Sequence, residues 1–550
     1  MPTRHTAEGA LAVDAPQSAR ALRPGLAVLL GVASFALLVW VGAKPSLAGI
    51  NSDGAVYVLL ADWLSPWHAH DIEFGARLFE HYPFPPLYPL LLAAVGGGSA
   101  SPQLDYVINA WLQACAVAAS WCWARRAGCA GAGAALAALS IAFTPIALFT
   151  AMGLFSEPLY LALSMTAFAL VAGPAPRPRA WHSAALLLGL AALSRGIGLF
   201  AVLALLLSWI SRTHSKTARL TPLLAVAPPL LWMAVKASHG WHGSYTHNVF
   251  AAGWWPVLHS LIAQIPTNLH ALAYHFVRCF DFLNGQHSAV IATLLLVPAA
   301  FTWVRRLRDA ELDAIYLALY LGVIVMWPYP NHFSRFLFVL LPLFGAYAAM
   351  GVSALLSASG QAALARHGAS LAAALLLLVV APSFLQIVLG IATAEGAEEG
   401  KQARISSWYS HDSLAAARRS TSFSLRVLRV MTELGTRVPH DACVSSTMAE
   451  TFMLQARRYS RPPPSARDDV DALRAALTQC PYVLLLGTTV FAAADFPPFY
   501  PAARLSGELE ILHSVARDPA HLDGPPLAVL ARYRGAQAAA IAPARRSRDD

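Results

Sequence analysis

Long apolar stretches, each closed by a short basic cluster, limit what this chain can become. The clusters are Arg20/Arg23, Arg125/Arg126, Arg177/Arg179, Arg212/Lys216/Arg219, Arg305/Arg306/Arg308 and Arg366. Stretches of about 18 or more nearly uncharged residues are long enough to cross roughly 30 Å of hydrocarbon. Only 13% of the 550 residues are charged and 57% are hydrophobic, whereas soluble domains carry about 25% charged residues. A soluble globular fold is excluded, and the chain reads as a polytopic α-helical membrane protein. The net charge of +9 resides in the clusters, so it calls for no nucleic-acid partner. Only four of the basic residues are lysine (Lys44, Lys216, Lys236 and Lys401), a bias that fits a GC-rich bacterial genome.

Short loops rich in Arg and Lys stay on the cytoplasmic side of a membrane. With all six clusters there, the chain is organised as a polar, disordered cytoplasmic tail over 1–22, a transmembrane domain over 23–392 and a periplasmic α/β domain over 393–550. The run Gly25 to Val41 is too long for a signal-peptide core and lacks a small-residue cleavage site, so it reads as an uncleaved anchor. The outer loops are 43–103 and 238–287. The remaining spans lie near 104–124, 130–150, 155–173, 220–238, 288–304, 312–328, 335–356 and 369–391. With the pair described next, about 11 crossings result. The N-terminus is then cytoplasmic and the C-terminal domain periplasmic, as in a bacterial inner (plasma) membrane protein.

Charge settles two ambiguous stretches. Pro85-Pro86-Leu87-Tyr88-Pro89 leads into a greasy segment that stops at Gly96-Gly97-Gly98. It is about a dozen residues long, which suits an interfacial or re-entrant segment. Counting it as a crossing would place Arg125 and Arg126 outside. Residues 181–210 are flanked by basic clusters on both sides, so the chain must return to the side it left. Two crossings of roughly 15 residues cover about 22 Å each, with Ser194-Arg195-Gly196 at the hairpin tip. An arginine at the centre of one long helix would instead cost about 2.5–3.5 kcal/mol.

This topology gathers Asp53, Glu157, Arg195 and Arg335 on the outer face. Asp53 follows the first span in Asn51-Ser52-Asp53-Gly54, where helix capping is one account and a carboxylate that orients or deprotonates a hydroxyl is the other. Glu157 opens a span in Ser156-Glu157-Pro158-Leu159-Tyr160. The helix dipole favours an acid there, yet a bare Glu at the edge of hydrocarbon is costly unless it faces a polar cavity. Arg195 and Arg335, the latter in Asn331-His332-Phe333-Ser334-Arg335, suit a phosphate: the guanidinium is planar, permanently charged and rich in donors. Salt bridges to Glu157 or Asp53 are the alternative role for both. Asp62, Asp71, Glu73, Arg77, His81, Tyr82, Tyr88 and His332 are further polar groups able to line a substrate loop.

The second outer loop carries Trp241, Trp254, Trp255 and an amphipathic stretch from Val257 to Phe280, as expected of a helix lying on the outer leaflet. Its histidines (His239, His242, His247, His259, His270 and His275) show no metal-type pairing. No metal site is assigned; a divalent metal stays open as a cofactor. Cys115, Cys122 and Cys129 read as helix packing. In the last domain, strands are expected over Ala442–Ser446, Tyr482–Leu486 and Leu527–Ala531, and helices over Ser424–Leu434 and Val470–Gln479. Cys443 and Cys480 each stand at the mouth of a strand, and they would bridge if those strands are neighbours.

The acidic first outer loop, the Pro-Pro-Leu-Tyr-Pro segment, the Ser-Glu-Pro-Leu span start, the Leu-Ser-Arg-Gly hairpin and the Arg-to-Pro late span together resemble the GT-C superfamily of membrane glycosyltransferases. That superfamily includes protein O-mannosyltransferases and aminoarabinose transferases of lipid A. The resemblance covers roughly 24–391 and an outer C-terminal domain. It implies inverting transfer of a sugar from a polyprenyl-phosphate-linked donor to a hydroxyl of a glycan, lipid or protein acceptor. It also implies membrane lipids as partners, Asp53 and Glu157 as the catalytic acids, and Arg195 and Arg335 as donor-phosphate contacts. Two departures stand out: Gly54 follows Asp53 where many members have a second acid, and Phe84 precedes the two prolines where some have Lys or His. A flippase or transporter of lipid-linked sugars and an O-antigen ligase or polymerase are the alternatives. A transporter normally shows internal repeats and midplane polar groups, and neither is found in the sequence.

Overall fold

A computed structural model describes residues 24–42, 52–67, 72–82, 84–173, 176–212, 220–241, 254–281, 285–392, 414–463, 470–486, 505, 507–518 and 521–535. The expected tail over 1–22, Arg20, Arg23, Asn51, Asp71, Lys216, Arg219, His242 and His247 lie outside these residues, as does the passage from membrane to outer domain at 393–413.

The first half of the chain forms α1 (Pro24–Gly42), α2 (Ser52–Leu64), α3 (Ile72–His81), α4 (Leu87–Ala94), α5 (Pro102–Arg126), α6 (Gly131–Ala142), α7 (Pro145–Met152), α8 (Glu157–Val171), α9 (Pro178–Ala192), α10 (Gly198–Arg212) and α11 (Thr221–Ser238). Then follow α12 (Trp254–Ala263), α13 (Ile265–Phe280), α14 (Gln286–Arg308), α15 (Leu312–Val325), α16 (Phe333–Phe338), α17 (Leu341–Ala358) and α18 (Gly368–Ala392). The last part holds α19 (Leu414–Gly435), α20 (Ala449–Ala456) and α21 (Val470–Gln479) with strands β1 (Val444–Ser446), β2 (Ser460–Arg461), β3 (Tyr482–Leu486), β4 (Leu509–Asp518) and β5 (His521–Tyr533).

Among the described residues, five helices are long and apolar enough to cross a membrane: α5, α11, α14, α17 and α18. The count is six if α6 and α7, bent by 48° at their junction, act as one span. Four more apolar helices, α1, α8, α10 and α15, are shorter. They sit where the basic clusters demand crossings, so the expected total of about 11 depends on spans of about 22 Å rather than on full-length ones. Exposed Leu230, Leu231, Leu377 and Leu378 give α11 and α18 the apolar outer faces of a multi-pass membrane protein. The α6–α7 break frees backbone carbonyls where no water can reach them. Gln113 donates to the Ile141 carbonyl and Asn109 to that of Ala151 (3.0 Å), both from α5.

The basic clusters close on one another at one end of the bundle. Arg126, ending α5, donates to the Ala169 carbonyl of α8 at 2.8 Å. Arg212, ending α10, pairs with Glu311 at 2.7 Å and donates to the Gly173 carbonyl at 2.6 Å. Arg306, ending α14, binds Asp313 at 2.7 Å. Cations at helix C-termini complement the negative dipole end. Glu157 therefore opens α8 at the opposite end from Ala169, and the α9–α10 turn carries Arg195 at the opposite end from Arg212.

The C-terminal sheet has the order β2-β1-β3-β5-β4, with β1 parallel to β2 and β3, and β5 antiparallel to β3 and β4. The neighbouring β1 and β3 bring Cys443 and Cys480 to a Cα–Cα distance of 4.7 Å, and the two are joined by a disulfide. The three expected strands and two expected helices are present; β2, β4 and α20 were not among the expected elements.

Candidate active site

Asp53, Glu157, Arg195 and Arg335 form one connected cluster. Arg335 Nη1 donates to Asp53 Oδ2 at 2.8 Å, and its Nε donates to Glu157 Oε1 at 2.9 Å. Arg195 Nη1 reaches the same Glu157 Oε1 at 2.6 Å. Glu157 is fully buried while Asp53 keeps 28% of its side chain exposed. The inner acid is clamped between two cations, and the outer acid stands at the rim.

Local structure accounts for each placement. Asp53 sits in the first turn of α2 and Glu157 in the first turn of α8, so each carboxylate meets a positive dipole end. Gly54 settles why no second acid follows Asp53: a Cβ at position 54 would stand 2.5 Å from the Gly153 carbonyl oxygen. Leu154 takes φ +51°, and the tight turn there delivers Phe155 and then Ser156-Glu157 to the site. The Phe155 ring lies 3.6 Å beneath the Arg335 guanidinium, a cation–π contact that orients it. Tyr57 on α2 and Ser156 share a hydrogen bond of 3.0 Å, tying the two acid-bearing helices together. The α9–α10 tip is pinned by Leu87, whose backbone N–H donates to the Leu193 carbonyl at 2.9 Å. The Pro-Pro segment thus holds the Arg195 turn.

Burial alone pushes the Asp53 carboxyl upward. The charge and hydrogen bond of Arg335, helped by His332 and Arg195, outweigh it and hold the group below the ordinary carboxylate range. Two guanidiniums balance two carboxylates, leaving the cluster neutral. Glu157 Oε2 is buried with no hydrogen-bond partner among the described residues. Both carboxylates are engaged by guanidiniums in this arrangement. Among the described residues no group of three His, Cys, Asp or Glu side chains is placed to hold a metal ion.

The other anticipated residues divide. His332, in the turn before α16, lies over Phe336 with ring centroids 6.3 Å apart, and its charge bears on Asp53. Tyr82 hydrogen-bonds Glu450 of the C-terminal domain. Arg77 lies over the Tyr459 ring at 4.6 Å, so it belongs to the interface with that domain. Tyr88 is fully buried, donates to Asn109 at 3.2 Å and packs edge-on against Tyr57; it supports the site from below rather than lining it. Glu73 and His81 lie on α3. The amphipathic stretch expected over Val257–Phe280 is two helices with different duties. α12 has no buried residue and exposes Trp254 and Trp255, as an interfacial helix should. α13 packs inward: Asn268 donates to the carbonyls of Val325 and Trp327, and His275 bonds Ser334 at 2.7 Å.

Helices α13, α14, α15, α16 and α17 wall an apolar cavity of about 600 Å³. Leu337, two residues beyond Arg335, lines it together with Tyr274, Leu296, Trp303 and Phe344. Phe155, Glu450 and the cavity were missed in the sequence. Phe155 adjoins the Ser-Glu-Pro motif and was legible as a neighbour of Glu157; nothing local marks Glu450.

No family model matches the chain, and no curated protein matches it by sequence. Among solved structures it is similar to ArnT from Cupriavidus metallidurans bound to undecaprenyl phosphate, at 13% identity and TM-score 0.48, over 94% of this chain and 99% of that one. It is also similar to the archaeal oligosaccharyltransferase AglB from Archaeoglobus fulgidus, in complex with an inhibitory peptide and a dolichol-phosphate. That match has 13% identity and TM-score 0.45, over 84% of this chain and 69% of that one.

Proposed function

We propose that the chain is an inverting membrane glycosyltransferase of the GT-C kind, moving a sugar from a polyprenyl-phosphate-linked donor to a hydroxyl acceptor. In this reading it acts at the outer face of a bacterial inner membrane, with the basic clusters at the cytoplasmic end. The supporting observation is the Asp53–Arg335–Glu157–Arg195 chain of contacts at the end of the bundle away from those clusters. A transporter would place such groups near the midplane.

A lipid phosphate needs an apolar groove for its tail and fixed cations for its head. The cavity beneath Leu337 provides the first and Arg335 with Arg195 the second. The donor phosphate competes with Asp53 for Arg335, because a guanidinium serving two carboxylates has few donors left. Asp53 is the one to yield: it stands at the rim, whereas Glu157 is buried between both arginines. Released from Arg335, Asp53 becomes more basic and takes the acceptor's hydroxyl proton. The acceptor oxygen then bonds to the anomeric carbon from the face opposite the phosphate. The carbon–oxygen bond to phosphate breaks, and its electron pair leaves on the phosphate oxygen, stabilised by Arg335 and Arg195. Glu157 keeps both guanidiniums aimed.

Binding of undecaprenyl phosphate to the purified full chain tests the donor assignment. The wild type is expected to bind and Arg335→Ala to lose binding. Absence of binding in the wild type would remove the reading. Mass spectrometry of envelope glycans from a deletion strain identifies sugar and acceptor.

A further inference from the structure

The C-terminal sheet domain is not a separate appendage. Its helix α20 packs along α2: Met453 and Leu454 are buried in one cluster with Ala55, Leu59 and Leu60. Arg457, just past α20, pairs with Asp62 of α2 at 2.9 Å and hydrogen-bonds Ser99. α2 carries Asp53 in its first turn, and α20 carries Glu450 in its first turn. Tyr82 donates a hydrogen bond to the Glu450 carboxylate. Burial first, and the nearby charge of Asp53 in addition, raise the proton affinity of Glu450 above that of an ordinary glutamate.

The docking of the domain therefore brings a third carboxyl group within electrostatic reach of Asp53. Two carboxylates that sense each other repel unless a proton or a donor group stands between them. The arginine cluster supplies that donor for Asp53 only until a phosphate takes Arg335. A hydroxyl-bearing acceptor is the natural replacement, since its O–H groups can donate to both acids. Tyr82 uses one lone pair of Glu450, and an ionised carboxylate has about four. Burial and Glu450 both disfavour ionising Tyr82, so it stays a phenol able to donate.

We infer that Glu450 and Tyr82 form the acceptor-binding pair, holding a neutral or cationic hydroxyl compound beside Asp53, so that the sheet domain is part of the active site and selects the acceptor. An anionic group at the reacting end of the acceptor would be rejected by the two acids. This rests on the glycosyltransferase reading and goes beyond it by assigning the acceptor side.

The test uses the full chain in a deletion strain and, purified, in lipid nanodiscs. Glu450→Gln and Tyr82→Phe are close in shape to the residues they replace. Each is expected to lower envelope-glycan modification about 100-fold, the size of loss that a reactant misplaced by about 1 Å can cause, while undecaprenyl phosphate binds as in the wild type. Arg457→Ala removes the exposed polar contacts to Asp62 and Ser99 but leaves the buried Met453 and Leu454 contact with α2 in place, so it is expected to leave modification near the wild-type level. Wild-type modification in both Glu450→Gln and Tyr82→Phe overturns the inference. So does an equal loss in Arg457→Ala, which would make docking alone responsible. Failure of the wild type to bind undecaprenyl phosphate is a separate outcome: it sinks the reading of the donor site, and this inference with it.

Discussion

Arg335 and Asp53, 282 residues apart in the chain, meet at 2.8 Å, and the same guanidinium holds Glu157. The cation proposed to hold a donor phosphate is engaged by the protein's own carboxylates, one of which is the proposed base. In that reading, donor binding and basicity are coupled.

Asp53→Asn separates the two roles. It is expected to abolish transfer and yet to bind undecaprenyl phosphate more tightly, because the internal competitor for Arg335 has lost its charge. A gain of about tenfold corresponds to roughly 1.4 kcal/mol, close to the lower end of what one charged hydrogen bond contributes. Titration of both proteins checks this, and weaker binding in the variant would refute the exchange.

The pair also has a signature in stability against pH. The folded Asp53 carboxyl lies below its ordinary value of 3.8, so its contribution is fully present above that value and is lost as pH falls through the folded one. The difference in unfolding temperature between wild type and Asp53→Asn should be level above about pH 5 and shrink below about pH 4. Thermal unfolding in detergent across that window is the measurement; a difference that grows toward acid contradicts the assignment.

Glu157 is the structural centre of the cluster. Glu157→Ala leaves Arg195 and Arg335, each with only 12% of its side chain exposed, without their shared counter-charge. Breaking such a buried pair costs about 3–5 kcal/mol, which should lower the unfolding temperature and the yield of folded protein. A stability equal to the wild type would show that the arginines find other partners.

The Cys443–Cys480 disulfide closes a separation of 37 residues, and loop entropy then predicts roughly 4 kcal/mol of stabilisation. Reductant, or Cys443→Ser with Cys480→Ser, is expected to loosen the sheet domain and with it the α20 contact. Limited proteolysis of the full chain, with and without reductant, reports it. Identical cleavage patterns would place the stability of the domain elsewhere.

Much of the candidate site is legible in the sequence, because a chain of long apolar stretches must obey a membrane. Basic connectors cannot cross hydrocarbon cheaply, so counting apolar stretches between them places Glu157 and Arg195 at the end of the bundle away from the basic clusters. The break after Ser194 is marked by the arginine itself, since a charge there is tolerable at a tip and not at a centre. The resemblance motifs likewise mark local turns: Ser-Glu-Pro opens α8, and Gly54 permits the approach to the Gly153 carbonyl.

Which end of a helix bundle a group occupies is a one-dimensional property, and here the pattern of apolar length and positive charge reads it. Which groups touch is not. That Glu157 sits fully buried between two guanidiniums while Asp53 waits at the rim depends on how α2, α8, α16 and the α9–α10 turn pack. That Glu450 reaches Tyr82 depends on a domain docked through the buried Met453 and Leu454. Neither contact has a local sequence signal, because each partner's neighbours satisfy their own helices first; only the tertiary structure, by closing long loops, decided them.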